Sequence, residues 1–298
     1  MNVLVTGGSG LVGRYLITAL EKHGHKVRVL SRKKSVRQNE FYWDIAKGYI
    51  EEGAFEDLQA IIHLAGANIS EPWNDKYKKE LYESRILSAQ LLKKYAEKHQ
   101  LNLNAFISSS GINYYGTFTS DDVLTEDSPV VKKDFLAQLC IEWEGAAHDF
   151  SDLAERVICV RTAMVLANEG GAYPLLKKIT DVNLASALGS GRQWMNWIHV
   201  EDLANLYVYV LENVNVNGKV NAVADEVPTN KEFMRVLAQF SGKIFWPFNV
   251  PKFMMKTIMG DMSSIILEGT RASNKKIKSL GFDFKYRTLE DSLKNLIQ

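Results

Sequence analysis

Apolar residues recur along the chain in two alternating rhythms. Asn2 to Thr6 (NVLVT) is a short apolar run of the kind that forms a buried strand. A helical stripe follows in which Leu11, Val12, Tyr15, Leu16, Ala19 and Leu20 share one face, and Gly24 stands where a C′ glycine ends a helix. Lys26 to Ser31 is a second strand, with Val27, Val29 and Leu30. The alternation continues with strands at Phe41–Asp44, Ala60–Leu64, Ala105–Ser109 and Val157–Arg161, and with helices at Asp75–His99 and Asp134–Phe150. Repeated strand–helix units predict an α/β fold with a doubly wound parallel sheet. Beyond about Thr162 the rhythm loosens. A helix is expected at Glu201–Asn213, a strand at Val220–Val223, a helix at Thr229–Phe240 with Thr229 as N-cap, and mostly helix from Pro247 onward. The expected organisation is a nucleotide-binding unit over residues 1–165, joined by a returning strand near 220, and a smaller α/β lobe over 166–298.

The first strand, turn and helix carry the chemistry. Thr6 to Gly13 reads T-G-x-x-G-x-x-G. A glycine triplet alone is a weak motif, but after a strand and at the start of a helix it marks a Rossmann-type dinucleotide site. Gly7 permits the tight turn, Gly10 lets backbone approach a pyrophosphate, and Gly13 lets the helix lie close to the sheet. Ser9 and the free N–H groups near Leu11 and Val12 would hold phosphate. Cofactor choice is read at the end of the second strand, where an NAD site carries Asp or Glu for the ribose 2′-hydroxyl. This chain has Ser31-Arg32-Lys33-Lys34 there, and a guanidinium suits a 2′-phosphate, so NADP(H) is expected. Asp44 could bond the adenine amino group or serve as an ordinary turn residue.

Composition narrows the class. The 298 residues are 46% hydrophobic and 24% charged, with a net charge of +1, so no global field favours nucleic acid or an anionic membrane. Two cysteines, Cys140 and Cys159, make no disulfide framework and fit a reducing cytoplasm, and no His/Cys cluster has metal-ligand spacing. No apolar run approaches the roughly 20 residues of a membrane span. MNVLVTGG lacks a basic segment followed by a long apolar one, so it reads as a strand rather than a signal peptide.

TGGSGLVG, HLAGANI, SSSGINYYG and WIHVEDL stand in order. Together they resemble the extended short-chain dehydrogenase/reductases, the group that includes sugar-nucleotide epimerases. WNDKYKKELYESR, DFLAQLCIEWEGAA, LGSGRQWMNWIHVEDL, GKVNAVADEVPTNKEF and EGTRASNKKIKSLGFDFKY make the chain similar to an atypical branch, the epimerase family proteins with a characteristic C-terminal domain. The resemblance runs from Val3 to about Leu296. It implies that Leu64, Ala65 and Gly66 line the cofactor ribose, that Ser110 is the catalytic Ser, which in this group polarises the substrate oxygen, and that Thr162 to Val165 border the nicotinamide. Trp194 and Trp197 either approach the substrate pocket or pack the lobe. His199 and Asp202 read as a core histidine and a cap.

The group's Tyr-x-x-x-Lys pair should lie on the helix before the sixth strand. Phe135 and Leu139 stand at that spacing, and neither transfers a proton. Tyr173–Lys177 has the spacing but spans Pro174 on the wrong element. Tyr114 or Tyr115, close after Ser110, could replace the acid or could simply pack. Cys140 and Glu144 lie on the helix that lost the pair, and Glu126 reads as a turn or cap residue. Departures from the branch occur at Pro72-Trp73, Ala185-Ser186 and Arg161-Thr162-Ala163, where it commonly has Arg-Trp, Gly-Gly and Arg-Thr-Gly. The first removes an anion contact. Two readings follow: an NADP(H)-dependent oxidoreductase or epimerase acting on a small carbonyl or sugar-nucleotide-like substrate by a non-standard mechanism, or a non-catalytic NADP(H)-binding sensor or partner-binding protein. Helices 75–99 and 134–150, through which relatives pair, leave both a homodimer and a monomer open.

Overall fold

The computed structural model describes residues 1–297. β1 (Asn2–Thr6) leads through the glycine turn into α1 (Leu11–Lys22), then β2 (Lys26–Ser31), β3 (Glu40–Asp44), β4 (Tyr49–Ile50) and β5 (Ala60–His63). α2 (Asp75–Lys98), β6 (Ala105–Gly111), a two-residue β7 (Val123–Leu124), α3 (Phe135–His148) and β8 (Val157–Thr162) complete the first half. β9 (Met164–Ala167), β10 (Gly170–Gly171), α4 (Tyr173–Asp181), β11 (Ala185–Leu188), β12 (Trp197–His199), α5 (Val200–Glu212) and β13 (Gly218–Ala222) follow. The chain ends with α6 (Asn230–Phe240), β14 (Phe245–Val250), α7 (Lys252–Met259), α8 (Ser264–Leu267), β15 (Arg271–Ala272), α9 (Lys275–Ser279) and α10 (Leu289–Ile297).

Eight strands form the main sheet in the order β13-β8-β6-β5-β1-β2-β3-β4, with only the β3–β4 hairpin antiparallel. The chain runs outward from β1 to β4, then crosses back to place β5 against the other side of β1. This reversal opens a crevice at the carboxyl ends of β1 and β5, the position where open α/β sheets bind ligands. Alternating side chains divide the sheet's two faces. Val3, Val5, Ile62, Ile107 and Val160 pack with Leu16, Leu203 and Tyr207 of α1 and α5. Leu4, Ile61 and Phe106 pack with Leu92, Tyr95 and Ala147 of α2 and α3. Strands covered on both faces need continuous apolar runs, and the sequence supplies them.

A separate core holds the smaller lobe, with Tyr173, Leu176, Trp197, Phe233, Leu237 and Leu293 at its centre. α5 and β13 belong to the large sheet, so the second half of the chain builds part of both units. The expected helix from Pro247 onward begins instead as strand β14, paired in parallel with β11. Thr229 caps α6 in a full capping box with Glu232. No helix among the described residues is long and apolar enough to cross a membrane.

Arg156 locks α5 to the start of β8. Its buried guanidinium donates to the carbonyls of Val210 (2.9 Å), Asn213 (3.1 Å), Val216 (3.0 Å) and Leu211 (2.8 Å), satisfying the end of the helix. Arg156→Met should orphan these carbonyls and cost about 2–4 kcal/mol, since hydrogen bonds to charged groups contribute about 1.5–3 kcal/mol each. Urea denaturation against the parent protein measures the loss.

Candidate functional site

The crevice is organised by one hydroxyl. Thr6 Oγ1, at the end of β1, accepts from the backbone N–H of Leu64 (3.1 Å) and Ala65 (3.0 Å), so its own proton points at His63 Nδ1, 2.8 Å away. His63 is therefore the Nε2–H tautomer, and Nε2 donates to the Arg85 carbonyl at 3.2 Å. Burial pushes the His63 pKa down to about 4, which keeps the ring neutral.

Gly7 has a φ of +71°, and a Cβ there would stand 2.8 Å from the Leu64 carbonyl carbon. Only glycine allows that turn and that approach together. At Gly10 a Cβ would meet the Gly7 oxygen at 3.1 Å and otherwise project into open space. The Gly10 N-cap carries no side-chain bond to the first turn of α1, which leaves the N–H groups near Leu11 and Val12 free. A pyrophosphate fits such a cradle. Gly13 is close to the turn itself rather than to the sheet, because a Cβ would run into the Gly7 oxygen. Ser9 is exposed at the tip of the loop. Across from it the β9–β10 hairpin closes in, with Gly170 against Leu11 and the Tyr15 hydroxyl donating to Glu169 at 3.1 Å.

Ser31 ends β2 one position beyond the Thr6–Leu30 pairing, and its Oγ accepts from Lys33 N at 3.1 Å. Arg32 is exposed and has no ion-pair partner among the described residues. Asp44 ends β3 and holds the turn that follows, with Oδ1 accepting from Lys47 N and Oδ2 facing Tyr42 and Lys47. Leu64, Ala65 and Gly66 leave β5 along the crevice, but Gly66 has a different reason to be glycine. Its open side is filled by the Arg85 guanidinium, whose Cζ would lie 2.9 Å from a Cβ. Arg85 is buried, donates to Leu81 O and Ala67 O at 3.0 Å each, and stacks over Trp143. Among the described residues it has no carboxylate partner, and its Nε has no hydrogen-bond partner. Burial lowers its pKa to about 10, which still leaves it charged.

Beyond β6 the candidate residues separate. Ser110 Oγ donates to Glu144 Oε1 at 2.8 Å, and Glu144 receives Arg161 Nε (2.8 Å) and Nη2 (2.9 Å). Tyr114 lies flat on the Arg161 guanidinium, 3.4 Å from ring centroid to Cζ. Tyr115 is fully buried, and its hydroxyl is held by Thr125 O (2.8 Å) and Asn221 Oδ1 (2.9 Å). Burial also raises the Tyr115 pKa above that of a free phenol. Thr162 ends β8 beside Gly111, its hydroxyl donating to Val160 O. Phe135, at the position of the missing Tyr, meets Trp73 edge to face at 5.4 Å. It lines a cleft of about 250 Å³ with Trp73, Lys78, Lys132, Asp261 and Ser264, between the sheet unit and the lobe. A groove of about 540 Å³ between α1 and α5, lined in part by Tyr15 and Ala19 of the helical stripe, contains none of the residues singled out from the sequence for cofactor or catalysis.

Other candidates are structural. Cys140 is buried against Gly111, with its thiol pushed up to about 12 by burial. Glu126 is buried and accepts from Asn221 N at 2.9 Å, not from a turn. Trp197 packs the lobe core, and Trp194 donates to Asp121. His199, rather than Asp202, caps α5, while Asp202 accepts from Lys285 N and Tyr286 N at 2.9 Å. Tyr173 is buried in the lobe and Lys177 pairs with Asp181.

The family model described as the NAD dependent epimerase/dehydratase family matches residues 3–223. The chain belongs to that family. A second model, a domain of unknown function (DUF1731), matches residues 250–296 of this family member. It is 32% identical over its full length to epimerase family protein YfhF of Bacillus subtilis, covering 98% of that protein. It is 33% identical to the chloroplastic SDR39U1 homolog of Arabidopsis thaliana, covering 87% of it. Human epimerase family protein SDR39U1, solved with NADPH, superimposes with a TM-score of 0.89 at 31% identity over 99% of both chains. UDP-glucose 4-epimerase of Thermotoga maritima shares the fold, with a TM-score of 0.79 at 19% identity over 100% of this chain and 97% of that one.

Two outcomes follow from this geometry. Gly66→Ala should destabilise the protein by about 1–3 kcal/mol through overpacking against Arg85. In an Arg85→Leu background the same change should cost measurably less, and a double-mutant cycle in urea reads that coupling. Because His63 titrates near 4 when folded and near 6.5 when unfolded, the unfolded chain takes up the proton first. The stability it contributes is complete above about pH 6.5 and declines as pH falls toward 4, by about 2 kcal/mol at pH 5. A His63→Gln variant should show a shallower decline between pH 7 and 5.

Proposed function

We propose that the chain binds NADP(H) across the carboxyl ends of β1, β2 and β5. It then acts as an oxidoreductase or epimerase on a small carbonyl or sugar-nucleotide-like compound without a Tyr-x-x-x-Lys pair. The observation that carries the cofactor choice is the end of β2, where Ser31 and a free Arg32 stand in place of a carboxylate. Arg32 would hold the 2′-phosphate, and its planar fork suits that group. The Gly7–Gly13 turn would hold the pyrophosphate on the N–H groups near Leu11 and Val12, with Ser9 at its rim. Leu64, Ala65 and Gly66 would face the ribose, and Thr162 would border the nicotinamide. The NADPH in human SDR39U1 supports the same choice.

When bound, the nicotinamide supplies or accepts a hydride. The chain's own part is to orient the ligand beside Ser110 and to shelter it between Trp73, Phe135 and the 261–264 segment. The second reading, a non-catalytic NADP(H)-binding protein, draws on one observation: α3 offers packed Phe135 and Leu139 where a proton donor would stand.

Fluorescence titration should give tighter binding of NADPH than of NADH, and Arg32→Glu should weaken NADPH binding at least ~10-fold while sparing NADH, the loss of a charge-assisted contact. Equal affinities in the parent protein would overturn the cofactor choice. Stopped-flow oxidation of bound NADPH against carbonyls and nucleotide sugars separates the two functions. Absence of turnover across that panel, together with a partner captured only in the presence of NADPH, would favour the non-catalytic reading.

A further inference from the structure

Ser110 has one proton, and it is already committed. Glu144 is bound side-on by Arg161, whose Nε and Nη2 reach its two oxygens at 2.8 and 2.9 Å. Both side chains are buried. Burial works against the Arg161 charge, but the hydrogen bonds and attraction of Glu144 outweigh it and hold the guanidinium above its ordinary pKa. An ionised carboxylate only accepts, so the proton on the 2.8 Å line between Ser110 Oγ and Glu144 Oε1 is the serine's own. Neither partner is free to turn. Arg161 is covered by the Tyr114 ring at 3.4 Å and flanked by Tyr115 at 5.0 Å, and its Nη1 donates to Glu126 O at 3.4 Å. Removing the carboxylate from this pair would leave a buried guanidinium uncompensated.

We propose that Glu144, anchored by Arg161, is a positioning residue that makes Ser110 a hydrogen-bond acceptor toward the ligand. This rests on the reading that Ser110 faces the bound ligand. The serine's usual role in this fold group, donation to a substrate oxygen, is reversed. What meets Ser110 is then a donor on the ligand, an alcohol hydroxyl or an amide N–H, so of the two substrate classes proposed above the hydroxyl-bearing, sugar-nucleotide-like one fits, and a carbonyl compound would meet the serine as its alcohol product. Cys140 packs against Gly111 beside the serine, and burial pushes its thiol up to about 12. Of the two directions of an NADP-linked reaction, the arrangement favours holding the alcohol.

Infrared difference spectroscopy of protein labelled with 13C at the glutamate carboxylates tests this without a substrate. Ser110→Ala keeps the Glu144–Arg161 pair and removes one donor from the carboxylate. The parent-minus-variant spectrum should contain a shifted carboxylate antisymmetric stretch, and Ser110→Thr, which restores a hydroxyl, should abolish most of it. A featureless difference spectrum, or a band of a protonated acid, overturns the proposal. NADPH titration of the same samples keeps the two ideas apart. Failure of the parent to bind NADPH removes the cofactor reading without moving the carboxylate band.

Discussion

The rest of the structure depends on how closely β1 and β5 come together as they leave the sheet. Thr6 supplies the joint, because a single hydroxyl gathers two backbone donors from the next strand's exit and hands its proton to His63. Gly7 supplies the clearance. A larger residue at Gly7, or an apolar one at Thr6, would force the two exits apart, and the crevice is the gap that this contact defines. The same joint reaches outward through His63 to the Arg85 carbonyl on α2, and through the Arg85 side chain back to Ala67. The wall facing the glycine turn is thus held from behind by a closed ring of hydrogen bonds within one face of the sheet.

Most of the sheet was legible in the sequence because its strands are covered on both sides and must be uniformly apolar, and because each helix between them carries a clean stripe. The turn at Gly7 was legible for the same local reason. What escaped is tertiary. β14 contains Pro247 within a mixed run, and it exists only because β11, some sixty residues earlier, offers an edge. Tyr115 reads like a plausible acid from its distance to Ser110 along the chain, yet a short helical turn rotates it into the interior. The Glu144–Arg161 pair joins a helix to the strand after it, and no spacing rule announces such a pair. The contact of Gly66 with the Arg85 guanidinium, from a side chain nineteen positions away, was equally beyond the reach of local patterns.

α3 is capped by Asp134 and packs on α2, and its Phe135 and Leu139 present an aromatic and aliphatic wall with no group that transfers a proton. Further along, the same helix carries Glu144, the one carboxylate among the described residues that bonds Ser110.

β13 has a consequence for how this molecule can be divided. The chain leaves the main sheet after β8, builds part of the lobe, and comes back through α5 and β13 before leaving again. The two units are interwoven, in the manner of a stitch that passes twice through the same cloth. Separate expression of either half would strand an edge of β8 or the carbonyl end of α5. A recombination crossover falling between Arg156 and the end of α5 would join Arg156 to the helix of another chain, whose carbonyls it would then have to close.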